Sequence, residues 1–195
     1  MIFRIHLFFF YAIILLGWNN VRKIYIVLTY TGTILSWIVK NYTRKEYSHV
    51  SISLDENLNE MYSFGRIYAY NPFIGGFVRE STKYGTFKRF RKRIKTKIYS
   101  LEVDETQYKM IKKIIDDFNN DKDNYSFNMI GLLAVAFNLK IKRKKCFYCA
   151  EFVKHVLDNS SLEIYLPELI RPEDFEKING VQEIYSGLLD EYNYD

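Results

Sequence analysis

Within residues 48–54, Ser-His-Val-Ser-Ile-Ser-Leu, polar and apolar side chains alternate from His49 onward. Successive side chains of a strand point to opposite faces. Val50, Ile52 and Leu54 are therefore predicted to enter a core, while His49, Ser51 and Ser53 share the other side. Asp55-Glu56-Asn57 then turns the chain, and residues 59–66 read as the returning strand of a hairpin. Parallel strands need a crossover of a dozen or more residues, so this spacing commits the chain to antiparallel pairing. The β-rich run 23–29 reads as a buried strand, 96–103 as another, 77–80 as a short one and 181–185 as the last. Asn71-Pro72 and Gly75-Gly76 mark a loop between strands.

Helical spacing appears elsewhere. Ile34, Leu35, Ile38 and Val39 predict a helix over 33–42, capped by Thr31 or Thr33. Asp104 caps a predicted helix over 105–119, with Tyr108, Ile111, Ile114, Ile115 and Phe118 on one face. Further helices are expected over 128–137, from 147 onward, and briefly within 167–179. Strands and helices are largely segregated, which predicts an α+β fold with an antiparallel sheet packed against helices.

No repeat and no Pro- or Ser-rich linker interrupts the 195 residues, so one domain is expected over 21–195, preceded by a hydrophobic extension at 1–20. Residues 5–18 are apolar, shorter than the roughly 20 residues of a spanning helix. Arg4 and the apolar stretch suit a signal peptide, but Gly17-Trp18-Asn19 lacks a small-residue cleavage site. An uncleaved anchor, an atypical signal and a packed extension all fit. The membrane-associated helix is favoured, giving a membrane-associated or cytoplasmic location. The net charge of +5 is concentrated in 83–97 and 140–145, neither of which holds an acid. Such runs suit an anionic membrane or a cell-wall polymer, or simply a solvated face. No nucleic-acid signature accompanies them, so nucleic acid is disfavoured. Two cysteines allow no disulfide framework, and an isolated C-x-x-C lacks the four ligands of a zinc site. No metal and no cofactor are expected.

On the helix predicted from 147, Cys149, Phe152, Val153, Val156 and Leu157 share the inward face. A thiol in a first helical turn has its thiolate favoured by free N–H groups. The same pattern also fits core packing or a redox pair with Cys146. A nucleophilic cysteine needs a base, and the base needs a third group to hold its ring. Of the three histidines, His49 opens the polar face of an amphipathic strand. Ser63, on the returning strand, is the natural third group, with Glu60 and Glu80 as alternatives.

Residues 47–66, YSHVSISLDENLNEMYSFGR, followed much later by FYCAEFVKHVL at 147–157, resemble the YiiX-like permuted papain-like hydrolases, of the lecithin retinol acyltransferase-like branch of the cell-wall amidase superfamily. In permuted members the histidine hairpin precedes the cysteine helix, as here. The resemblance covers roughly residue 23 to the end. It implies a circularly permuted papain-like fold, with Cys149 as nucleophile and His49 as base. Family members often carry Glu or His where this chain has Ser63. The implied activity is cleavage or transfer at an amide, ester or thioester carbonyl of a peptide, amide or lipid substrate. An inactive relative binding a lipid or peptide in the same groove is the alternative. The backbone N–H of Cys149 would serve the oxyanion, with Tyr30 or Thr31 adding a polar group. The loop bearing Gly75 and Gly76 would form a substrate lip.

Overall fold

A computed structural model describes residues 21–30, 32, 45–68 and 71–192. Thr31, the apolar run at 5–18 and the helix predicted over 33–42 lie outside the described residues. The strands are β1 (Arg22–Tyr30), β2 (His49–Ser53), β3 (Met61–Tyr68), β4 (Asn71–Glu80), β5 (Lys95–Val103), β6 (Ser126–Phe127), β7 (Cys146–Phe147) and β8 (Gln182–Leu188). The helices are α1 (Gly85–Phe90), α2 (Glu105–Asn120), α3 (Met129–Ala136) and α4 (Cys149–Asp158). Single 3-10 turns follow at Arg91–Arg93 and Pro172–Lys177, among others.

Six strands form one antiparallel sheet in the order β4-β3-β2-β1-β5-β8. The α+β class with an antiparallel sheet packed against helices is therefore the observed architecture. β1 lies inside the sheet because its apolar run 24–28 is buried on both faces. Ile24, Ile26 and Leu28 join Val50, Ile52 and Phe64 beneath α2 and α4 in the larger core. Tyr25 and Val27 point the other way, into a smaller core with Met61, Phe87, Ile94, Ile98 and Leu189.

α2 begins where its sequence says it should. The Asp104 carboxylate accepts from Gln107 N–H at 2.8 Å, and the Gln107 side chain accepts from Asp104 N–H at 2.9 Å. This capping box satisfies two donors that a helix start otherwise leaves orphaned. Its buried Phe118 meets Phe152 of α4 edge-on at 5.2 Å between ring centroids, a favoured aromatic geometry.

Two segments differ from expectation. Residues 71–76 are not a loop: they are the first part of β4, with Gly65 opposite Gly76 and Arg66 opposite Gly75. The paired glycines answer a packing demand. A Cβ on Gly75 would lie 2.6 Å from the Gly65 carbonyl oxygen and 2.7 Å from Phe127 Cβ, closer than real atoms approach. The basic run 83–97 holds α1 and the turn Arg91–Arg93. Phe87 and Ile94 are buried beneath it, while Lys83, Lys88, Arg89, Lys92 and Arg93 stay in solvent.

Candidate active site

α4 is fixed at its start by reciprocal polar contacts. Tyr148 is the N-cap, and the Glu151 carboxylate accepts from its N–H at 3.2 Å. The Tyr148 hydroxyl, buried, donates to the Ile170 carbonyl at 2.9 Å. Cys149, the next residue, is 3% exposed and packs in the larger core. α4 packs on β2 and β3, which brings its first turn toward the start of β2.

His49 starts β2, opposite Thr29 of β1. The ladder between β2 and β3 pairs only Ile52 with Tyr62 and Ser53 with Met61. Toward His49 that ladder has ended, and the imidazole lies against the bare backbone of Gly65, where a Cβ would stand 3.8 Å from Cε1. His49 Nε2 is 2.9 Å and 3.1 Å from the two carboxylate oxygens of Glu80. Ser51 Oγ donates to Glu80 Oε2 at 2.5 Å and is 3.3 Å from His49 Nε2. Burial opposes the imidazolium, but the Glu80 charge and hydrogen bonds to Cys149 and Glu80 outweigh it, and the pKa is raised to about 10. Glu80 thus occupies Nε2. The arrangement holds a thiol, an imidazole and a carboxylate together.

Of the residues expected to hold the ring, the structure brings Glu80 to it. Ser63 Oγ instead donates to the Val50 carbonyl at 2.7 Å, wholly buried. It caps a carbonyl that lies beyond the last paired residues of β2 and β3, so the hydroxyl is occupied in holding two strands together. Glu60 is also elsewhere: it accepts from the Tyr62 hydroxyl at 2.6 Å and pairs with Arg79. Tyr30, at the end of β1, is half-buried opposite Lys95. Gly75 and Gly76 pack against β6 and the adjoining chain rather than forming a lip. Ser51 was not anticipated. Its signal is its place two residues after His49, which puts it on the same strand face.

Thr29 is buried beside His49, and its hydroxyl has no hydrogen-bond partner among the described residues. A crevice of about 20 Å³ runs alongside, lined by Ser48, Tyr148, Leu132, Val135, Ile170 and Arg171 among others. Ser48 and Tyr148 are the chain neighbours of His49 and Cys149. Cys146, half-buried in β7, is a free thiol, as is Cys149. It lines a different pocket of about 440 Å³ with Phe147, Glu151 and His155. Among the described residues no cluster of three His, Cys, Asp or Glu could hold a metal ion, and no helix is long and apolar enough to cross a membrane. Comparison with family models, with curated proteins and with solved structures finds no match for this chain.

Proposed function

We propose that the chain is a cysteine-dependent hydrolase or acyltransferase of the circularly permuted papain-like kind, acting on an amide, ester or thioester carbonyl. The observation that carries this reading is the group Cys149, His49, Glu80, with the carboxylate on His49 Nε2 and the Cys149 thiol in hydrogen-bonding contact with the same imidazole. Glu80 fixes the ring and stabilises its cation, the task of the third group in such triads. Ser51 holds Glu80 in turn. In the reaction the imidazolium–thiolate pair is the reactive form: the proton already sits on His49, and the Cys149 sulfur forms a bond to the substrate carbonyl carbon. The tetrahedral oxyanion is met by backbone N–H groups at the start of α4. Collapse expels the amine, alcohol or thiol leaving group, which takes the proton from His49. Water, or an acceptor amine or alcohol, then attacks the thioester with His49 as base and frees Cys149.

The test is the pH dependence of alkylation by iodoacetamide, followed at each cysteine by mass spectrometry. Cys149 is expected to react about tenfold or more faster than Cys146 below pH 7, because the thiolate is the reactive species. His49→Ala is expected to abolish that advantage and Glu80→Gln to reduce it. Equal profiles for both cysteines, indifferent to either substitution, would sink the catalytic reading and favour a groove that only binds.

A further inference from the structure

α3 has two unlike sides. Leu132 and Val135 face inward and line the crevice beside Ser48 and Tyr148. Ile130 and Leu133 face out and are 55% and 41% exposed, and beyond the helix end Leu139 and Ile141 are 58% and 39% exposed. These side chains are held in place. Asn138 adopts a left-handed backbone, φ 59°. Leu139 N–H donates to the Ala134 carbonyl and Asn138 N–H to that of Val135, at 2.9 and 3.1 Å. This is the double bond of a Schellman ending, with Asn in the position glycine usually takes. Arg171 clamps it from the side, donating to the Val135 carbonyl at 3.1 Å and to Asn138 Oδ1 at 2.6 Å.

The exposed apolar residues run straight into the basic segment 140–145. Lys140 is tied to Glu168, and Lys145 to Asp121 at 3.4 Å. Lys142, Arg143 and Lys144 have no ion pair among the described residues. Asp158, which shares a pocket with Lys142 and Arg143, is itself paired to Lys154 at 2.9 Å. Lys142 feels Glu151 and Glu168 across the shared pocket without an ion pair, and a rigid apolar ridge bordered by such unpaired cations is the composition of a surface that enters the headgroup region of an anionic bilayer.

We propose that α3 and residues 139–145 dock the protein on an anionic phospholipid bilayer. A soluble acidic polymer would engage the cations but offer no apolar phase to Ile130 and Leu139. A second copy meeting this patch about a two-fold axis would set the same cations against one another. Docking here puts the bilayer against the outer side of the helix whose inner side lines the crevice beside Ser48 and Tyr148. The inference concerns binding alone and stands apart from the chemistry assigned to Cys149.

The test is flotation of the full chain with vesicles of phosphatidylglycerol and phosphatidylcholine against phosphatidylcholine alone. Binding is expected on the anionic vesicles only, weakening as salt is raised. Lys142→Gln/Arg143→Gln/Lys144→Gln is expected to lower the partition coefficient roughly 100-fold, and Ile130→Gln/Leu139→Gln about tenfold. Thermal unfolding by circular dichroism should be unchanged in both. The triple variant Lys83→Gln/Lys88→Gln/Lys92→Gln, in the other basic run, is expected to bind like wild type. Equal binding to neutral vesicles overturns the proposal. So does full binding by both patch variants, which would assign the contact to the apolar run at 5–18. An equal loss in the 83–92 variant, or a lipid-free dimer that Ile130→Gln/Leu139→Gln splits, overturns it as well.

Discussion

On one face of the sheet Ile24, Ile26, Leu28, Val50, Ile52 and Phe64 meet α2 and α4 through hydrocarbon and aromatic surface. The opposite face buries Thr29, Ser51, Ser53, Ser63 and Thr96 beside Tyr25, Val27 and Ile98, with His49 half-buried among them. The same strands build both, since each residue step flips the side. The first face draws stability from area removed from water. The second has to satisfy each polar group locally, because an unpaired buried donor or acceptor costs free energy. Ser53 does so with its one hydroxyl proton, which lies within reach of the Asp55 and Glu60 carbonyls, both at 2.8 Å, while its oxygen accepts from Asp55 N–H at 3.1 Å. The His49–Glu80–Ser51 group does so internally. A fold built only for stability would have no use for that group, which is why the second face is the one to probe for chemistry.

The largest effect expected separates the faces by stability. Phe152→Ala removes a ring that is fully buried between Phe64 and Phe118, at 5.4 and 5.2 Å between centroids. Its unfolding free energy in urea should fall by about 3–5 kcal/mol. A loss under about 1 kcal/mol would mean that the first face can collapse around the hole and is less tightly packed than its contacts imply.

A smaller effect tests whether the second face carries charge. His49 has its folded pKa raised to about 10 by the Glu80 carboxylate and the Cys149 contact, against burial. Its ordinary value is about 6.5. A raised pKa means that the folded state holds the proton more tightly. The stabilisation is therefore complete below about pH 6.5 and is lost as pH rises toward 10. Urea midpoints of wild type and His49→Gln should differ most near pH 6 and converge by about pH 10. The amplitude should stay below that of Phe152→Ala, since the ring and Glu80 side chains keep 16% and 14% of their surface in water, which screens the pair. A difference that grows with pH would mean that the imidazole is held neutral.

Much of the first face was legible in the sequence because it repeats. The alternation at 49–54 fixes β2, and the spacing of Ile111, Ile115 and Phe118 behind Asp104 fixes α2 and its start. α1 was hidden because Phe87 and Ile94 are embedded among cations, whose solvated ends say nothing about the backbone. The first part of β4 was hidden, though 77–80 reads as a strand, because Pro72 and two glycines are ordinary loop residues, and the packing of Gly75 against Phe127 of β6 explains why they lie in a strand. Cys149 and His49 are nominated by the residue types that such chemistry needs, and the structure places the thiol and the imidazole in contact. Glu80 was named only among alternatives to Ser63. Choosing between them requires knowing that Ser63 is claimed by Val50, and that the longer side chain of Glu80, from the strand beyond β3, reaches the His49 imidazole. Neither fact is a property of sequence spacing.

Ser63→Ala turns that choice into a measurement. Removing the hydroxyl leaves the Val50 carbonyl buried without its partner, which should cost about 1–2 kcal/mol in urea unfolding. Alkylation of Cys149 at pH 6.5 should stay within about twofold of wild type, because the ring is held by Glu80. The two readouts move in opposite senses for the two candidates: Ser63→Ala weakens the fold and spares the thiol, whereas Glu80→Gln slows the thiol. If Ser63→Ala slows Cys149 as much as Glu80→Gln does, the hydroxyl's strand-holding role and the site cannot be separated. The parting of β2 from β3 beside His49 would then itself be part of the catalytic geometry, with Ser63 setting the width of the gap through which the imidazole meets the thiol.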